Sequence, residues 1–396
     1  MIVGVPKETF AGERRVALVP ALVPALTKLG IEVVVEAGAG TAAGFPDDEY
    51  REKGARIAAE RREVFERADL LMMVRAPGAN RTGGEADLAA LRSGQIVVGF
   101  ADPLGNLDAV RAAAAKGISL LAMEMVPRIT RAQSMDALSS MATISGYKAV
   151  LLAAAALPRM FPLMMTAAGT ITPAHVFVVG AGVAGLQAIA TSRKLGAVVS
   201  GYDVRPAVKE QVESLGGKFV ELELETEEAE DEGGYAKQLG EEFYRKQREM
   251  MARVVADSDV VITTAAIPGK RSPVLVTEPM VASMRAGSVI VDLAAERGGN
   301  CELTRADEEV HAHGVTILGP TNLPSTVPYH ASQMYSKNLV NLLQLLIKDG
   351  QPQLETEDEV IRGTLVTHSG SVVHPRIAEL LGEAAAAGGN TPGKDA

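Results

Sequence analysis

The stretch His175 to Gly185, HVFVVGAGVAG, decides how the chain is read. A short apolar run enters a glycine-rich turn in which Gly180, Gly182 and Gly185 have G-x-G-x-x-G spacing, and a helical pattern, LQAIATSRKLGA, follows from Leu186 to Ala197. Each glycine has a physical task in a dinucleotide-binding turn. Gly180 permits the tight turn, Gly182 lets a pyrophosphate approach the backbone, and Gly185 lets helix and strand pack closely. With Val183 and Ala184 between them, the helix N-terminus offers free N–H groups to phosphate oxygens. A second apolar run, Ala197 to Gly201, ends near Asp203, which lies 23 residues past Gly180. An acid there is expected to bind the adenosine ribose hydroxyls and to repel a 2′-phosphate, which points to NAD(H) over NADP(H). The same pattern also fits an ordinary βαβ turn followed by a surface aspartate.

Working outward, 396 residues are too many for one simple core, so two domains are expected. The composition, 47% apolar and 22% charged, is that of an ordinary α/β protein. A net charge of −10 argues against nucleic acid as the main partner. Cys301 is the single cysteine, which excludes an intrachain disulfide and a multi-cysteine metal site, and no metal is expected. The N-terminal stretch carries charge from Lys7 onward and lacks an apolar signal core. Pro158, Arg159 and Pro162 interrupt the most apolar run, Ala149 to Ile171. A cytoplasmic protein without direct membrane insertion is therefore expected.

Apolar runs at Ile2–Val5, Glu32–Glu36, Leu70–Val74, Ile96–Phe100 and Ser119–Met123 alternate with helical patterns, and six more follow from Val176 to Leu318. This is the rhythm of two Rossmann-like, doubly wound parallel-sheet α/β domains joined by long helices. The expected boundaries are 1–140 plus 330–384 for an N-terminal domain, 141–329 for the nucleotide domain, and 385–396 for a disordered tail. Residues Thr364–Thr367 and Ser371–His374 suggest a hairpin, and His311 and His313 are expected on a helix. The acidic run ELELETEEAEDE and the glycine pair before Tyr235 suggest either a lid or a solvated loop.

The polar stretch EMVPRITRAQSMDALSS (124–140) carries Arg128, Gln133, Asp136 and Ser139 and reads as an interdomain loop. None of the six histidines precedes His175. Oxidation of an alcohol or amine needs a proton acceptor. Hydride exchange between two nicotinamides needs only orientation and electrostatics, with the reacting carbons about 3–3.5 Å apart. Arg128 and Asp136 are natural orienting groups, although each alone also fits a surface ion pair.

The chain resembles the soluble NAD(H)-binding component of proton-translocating NAD(P) transhydrogenase over nearly its whole length. The resemblance rests on PRITRAQSMDALSS (127–140), FPLMMTAAGT (161–170), VGAGVAGLQAIAT (179–191), KEQVESLGGKF (209–219), GGYAKQLGEEF (233–243), IPGK (267–270) and VDLAAERGGNC (291–301). It implies that Arg128, Asp136 and Ser139 orient the nicotinamide and that Gln133 reaches towards NADP(H) on a partner. It implies that Asp203, Val204 and Arg205 hold the adenosine ribose, that Tyr235 lies in a mobile closing loop, and that Thr264 and Ala265 lie along the nicotinamide ribose. It further implies a homodimer docked to an NADP(H)-binding domain and membrane-spanning subunits. The chain is also similar to alanine dehydrogenase, sharing its GVPKE pattern, and Arg15 matches that enzyme's substrate arginine. Its substrate lysine is replaced by Arg75, and its catalytic histidine is absent from VVGFADPL. A self-contained amino-acid dehydrogenase and a non-catalytic NAD(H) sensor remain the alternatives at this point.

Overall fold

Two parallel sheets carry the chain, and both have the same winding. The computed structural model describes residues 1–221, 241–266, 269–354 and 357–388. It divides into one unit of Met1–Met141 with Ser325–Ala396 and a second of Ala142–Pro324. In the first unit, the parallel strands Arg56–Ala58, Glu32–Glu36, Ile2–Val5, Leu70–Arg75, Ile96–Phe100 and Ser119–Ala122 lie side by side in that order. Leu365–His368 and Ser371–Val372 extend the Ser119 edge with antiparallel pairing. In the second unit the parallel order is Lys218–Phe219, Val198–Tyr202, His175–Val179, Val260–Thr263, Val289–Asp292 and Val315–Leu318, with Glu309–Ala312 antiparallel at the far edge. In each sheet the chain starts in the middle, winds to one side, then returns to the first strand and winds to the other. The place where it reverses is where ligands bind in such sheets, outside the carboxyl ends of the strands.

The local sequences explain these elements. Leu70–Arg75, LLMMVR, is buried along all but its last residue, as expected for a central parallel strand covered on both faces. The helix Pro328–Leu346 starts with proline in its first turn and buries Ala331, Tyr335, Leu339, Leu342 and Leu346 at helical spacing. Its buried Ser332 and Ser336 accept the N–H groups of Val16 and Val19, both at 3.0 Å, so their hydroxyls are satisfied inside the core. By length and composition the helix Ala137–Ala156 could cross a membrane. Its Ala149, Val150 and Ala153 are instead packed with Val176, Val178 and Ile262 in the core of the second unit.

Several details differ from the sequence expectation. His311 lies in the strand Glu309–Ala312 and His313 at the following turn with φ +52°, not on a helix, because E-V-H-A alternates and Gly314 closes a hairpin. The strand Arg56–Ala58 and the hairpin Met164–Thr166 with Gly169–Ile171 were not anticipated, being only three residues per strand. The last helix runs from Pro375 to Gly388, so residues 385–388 are helical where a disordered tail is expected; its Ala384–Ala387 run favours helix. The acidic run beyond Glu221, Tyr235 and the remainder of the tail lie outside the described residues.

At the reversal point of the first sheet the chain fills its own carboxyl edge. The Glu8 carboxylate accepts the N–H groups of Val74 at 2.6 Å and Arg75 at 3.2 Å. Glu13, with no exposed side chain, takes the Arg15 guanidinium through two bonds of 2.7 Å and Arg75 Nε at 3.2 Å. Burial opposes the charge on Glu13, yet Arg15 outweighs it and holds the carboxyl down at about 2. Burial pushes Glu8 up to about 8, with the Glu13 charge adding to the rise. Burial also pushes Glu124 up to about 7, even though its Oε1 accepts the N–H groups of Ala101 and Asp102.

A carboxyl raised in this way keeps its proton in the folded chain while the unfolded chain gives it up near 4.5. Stability is therefore present at low pH and falls as pH rises towards 7. Glu124→Gln, which retains the oxygen acceptor, should gain on the parent between pH 5 and pH 8, on the order of 1 kcal/mol. Melting temperatures of both proteins across that range are the check, and parallel curves would refute the assignment. A second expectation concerns Gly146, where a Cβ would lie 2.1 Å from the carbonyl oxygen of Ala184. Glycine to alanine in an open helix gains up to about 1 kcal/mol. Here overpacking against backbone costs about 1–3 kcal/mol, so Gly146→Ala should melt lower than the parent in a thermal scan.

Candidate functional site

In the second unit the reversal point falls between His175–Val179 and Val260–Thr263, and the glycine turn leaves the first of these. Gly180 has φ +95°, and a Cβ on it would lie 2.5 Å from Thr264 Oγ1. A Cβ on Gly185 would lie 1.8 Å from the carbonyl oxygen of Gly180. Both glycines are therefore demanded by the fold itself. Gly182 is different: its φ of −74° suits any residue, and a Cβ would meet no protein atom within 4 Å. A side chain at 182 would only project into the open space in front of the helix Val183–Lys194. That helix has no side-chain cap, so the N–H groups of its first turn, Val183, Ala184 and Gly185, face that space. A pyrophosphate fits these residues: among the described residues no atom lies within 4 Å of a Cβ at position 182, and the helix end supplies donors and positive potential.

Asp203 follows the strand Val198–Tyr202, and its side chain is only 7% exposed. Its Oδ2 accepts the N–H of Ala181 at 2.7 Å, tying it to the glycine turn. Arg205 grips the same carboxylate from the other side, Nε to Oδ1 and Nη2 to Oδ2, both 2.9 Å, and its own backbone N–H reaches Oδ1 at 3.0 Å. Asp203 and Arg205 thus form one bidentate unit, with Val204 between them. The acid is fixed in place beside the turn and largely neutralised by its neighbour.

Across the reversal point, Thr264 donates its hydroxyl to the Gly180 carbonyl at 3.0 Å, which locks the end of Val260–Thr263 onto the glycine turn. Ala265 is held by Asn300, whose Oδ1 accepts its N–H at 2.9 Å and whose Nδ2 donates to its carbonyl at 2.8 Å. The backbone of Ala265 is thereby committed, and what it can offer a ligand is its methyl group. Gly180, Gly182, Val183, Ala184, Gly185, Asp203, Val204, Arg205, Thr264 and Ala265 are thus gathered at one edge of one sheet. Tyr235 lies outside the described residues. Asn300 was not singled out from sequence, although it stands in the VDLAAERGGNC segment and follows two glycines.

The other group of expected residues belongs to the first unit. Thr130–Met135 is a short 3₁₀ turn pinned by Ala132 and Met135, and Ala137–Ala156 follows it. Asp136 caps that helix: Oδ1 accepts the N–H of Ser139 at 2.9 Å and Oδ2 its hydroxyl at 2.6 Å. Ser134 carbonyl accepts Asn338 Nδ2 and Asn341 Nδ2, both at 2.9 Å, and Arg131 is paired with Asp358 by bonds of 3.0 and 2.9 Å. The turn is therefore clamped by the helices that close the same unit, while Arg128 and Gln133 remain exposed at its surface. Asn338, Asn341 and Asp358 were not foreseen; they lie two hundred residues and more along the chain from the turn they hold.

Comparison with known proteins agrees with this geometry. The family "Alanine dehydrogenase/PNT, N-terminal domain" matches residues 4–145, and "Alanine dehydrogenase/PNT, C-terminal domain" matches residues 149–375. Over 380 residues the chain is 47% identical to a Rhodospirillum rubrum protein that is named as the first portion of NAD(P) transhydrogenase subunit alpha, covering 95% of this chain and 99% of that one. It is 27% identical to alanine dehydrogenase of Bacillus subtilis, over 96% of this chain and 95% of that one. The crystal structure of transhydrogenase from Sinorhizobium meliloti superposes with a TM-score of 0.82 at 44% identity, over 95% of this chain and all of that one. The chain belongs to the alanine dehydrogenase/PNT family, and within it to the relatives of the NAD(P) transhydrogenase alpha subunit.

Proposed function

We propose that this chain is the NAD(H)-binding subunit of an NAD(P) transhydrogenase. In this reading, hydride passes between NADH on this subunit and NADP⁺ on a partner subunit, and a membrane-spanning subunit couples the exchange to proton translocation. The observation that carries the reading is the end-to-end match to the Rhodospirillum rubrum transhydrogenase alpha-subunit protein. The active form is a homodimer, peripheral to the membrane on the cytoplasmic side through its partners.

Bound NAD(H) supplies the hydride; the residues bind and orient it. The first turn of Val183–Lys194 takes the pyrophosphate, and Asp203 with Val204 and Arg205 takes the adenosine ribose. Thr264 and Ala265 line the nicotinamide ribose. Arg128, Asp136 and Ser139 orient the ring, Gln133 faces the NADP(H) partner, and Tyr235 closes over the nucleotide. Two observations favour this over a self-contained amino-acid dehydrogenase. The VVGFADPL segment carries no imidazole to accept a proton. Arg15 and Arg75 are both engaged by the chain's own Glu13.

The purified chain mixed with an NADP(H)-binding transhydrogenase domain should exchange hydride between NADH and NADP⁺. It should not oxidise NADH with pyruvate and ammonia. No exchange with a competent partner would overturn the reading. Asp136→Asn separates chemistry from folding, because asparagine caps a helix as well as aspartate does. Its melting temperature should stay at the parent value while hydride transfer slows by about tenfold or more; transfer at the parent rate would remove Asp136 from the reaction. Asp203→Ala should weaken NADH binding by about tenfold and free the Arg205 guanidinium for a 2′-phosphate. NADPH binding should then rise relative to NADH, and adding Arg205→Ala should abolish that rise. Titration of all three proteins with both nucleotides decides it.

A further inference from the structure

Asp292 ends the strand Val289–Asp292 and is fully buried. Its Oδ2 accepts the N–H groups of Asn300 at 2.7 Å and Cys301 at 3.0 Å and the hydroxyl of Thr304 at 2.7 Å, while Oδ1 accepts the N–H of Ala294 at 3.0 Å. Gly298 and Gly299, at φ +97° and +81°, bring the chain back onto that carboxylate, and a Cβ on Gly299 would lie 2.7 Å from Oδ2. The product of this tight loop is a single side chain in a fixed place. Asn300 is 0% exposed, and besides its two bonds to Ala265 its Nδ2 donates to the Pro273 carbonyl at 2.8 Å.

A tie that merely closed a loop would need one bond to Ala265. Asn300 makes two, one to each side of that residue, and so fixes its rotation as well as its position. Thr264, next in the chain, is held from the opposite side by the Gly180 carbonyl at 3.0 Å. The partly exposed Thr264–Ala265 turn is thus clamped between the glycine turn and a buried amide. Asn300 reaches none of the elements that carry Asp203 or the helix N-terminus.

We propose that Asn300, oriented by Asp292, is a positioning residue that sets the nicotinamide half of the nucleotide site by locking the Thr264–Ala265 turn. This rests on the NAD(H)-binding reading above. The consequence is a separation of the two halves of the ligand. ADP, which lacks both the nicotinamide and the ribose that Thr264 and Ala265 line, should bind without regard to Asn300, whereas NADH should not.

The test is titration of the full chain, Asn300→Ala and Asn300→Ser with NADH and with ADP. Both variants should lose about tenfold in NADH affinity, the scale of buried hydrogen bonds removed, and stay within about twofold of the parent for ADP. A general loss of folding would weaken both ligands together, and that result, or no change in either, overturns the proposal. Should neither variant fold, the unmodified chain still decides. The Asn300 side-chain amide resonances should shift on adding NADH and stay in place on adding ADP, and an equal response to both overturns it. If the parent binds neither ligand, the nucleotide reading itself fails, an outcome recognisable before any variant is made.

Discussion

The carbonyl oxygen of Gly180 lies where no side chain at residue 185 could coexist with it. That contact sets how closely the strand His175–Val179 and the helix Val183–Lys194 approach, and it aims the first turn of the helix outward. The same carbonyl is the acceptor for Thr264, so a single peptide oxygen joins the helix, the first strand and the fourth. Asp203 is tied in through Ala181. Asp203 and Thr264, which follow the strands Val198–Tyr202 and Val260–Thr263, are thus both positioned by this turn. A substitution at Gly185 would therefore displace the whole constellation, whereas one at Gly182 would leave the fold intact and obstruct only what approaches it.

The two sheets have the same order and opposite electrostatic arrangements at the reversal point. In the second unit the edge presents backbone donors to open space. In the first unit the N–H groups of Val74 and Arg75, at the end of the strand Leu70–Arg75, are taken by Glu8, and two arginines are taken by Glu13. Backbone winding alone does not make a ligand site. What differs is the segment after the first strand: GAGVAG in one case, PKETFAGERR in the other.

The sequence made the central strands legible because they are continuous apolar runs bounded by glycine or polar turns, and the winding followed from their spacing. Short edge strands such as Arg56–Ala58 and Glu309–Ala312 escaped because they are half-exposed and carry little apolar signal. The positions of His311 and His313 are hidden for the same reason: a polar alternation next to a left-handed turn carries no apolar signal that separates it from a helix face. Within the site, Gly180, Gly185 and Asp203 could be read because their tasks are local and have fixed spacing. Asn300, Asn338 and Asp358 could not, since each acts on a segment distant in sequence. Arg205 was visible as a neighbour of Asp203, but its grip on both carboxylate oxygens is a matter of rotamer and burial that no spacing encodes.

Asp136 carries an implication for comparing members of this family. Its carboxylate closes the first turn of a twenty-residue helix through Ser139, and the helix needs such a cap whatever the chain does with a nucleotide. Selection for folding alone would keep aspartate, asparagine, serine or threonine there. A relative that had lost its activity would still show the residue, and an alignment column would look conserved for a reason unrelated to turnover. Arg128 and Gln133 stand at the exposed surface of the same turn. On the function proposed above, they are the more informative positions for deciding which relatives still react.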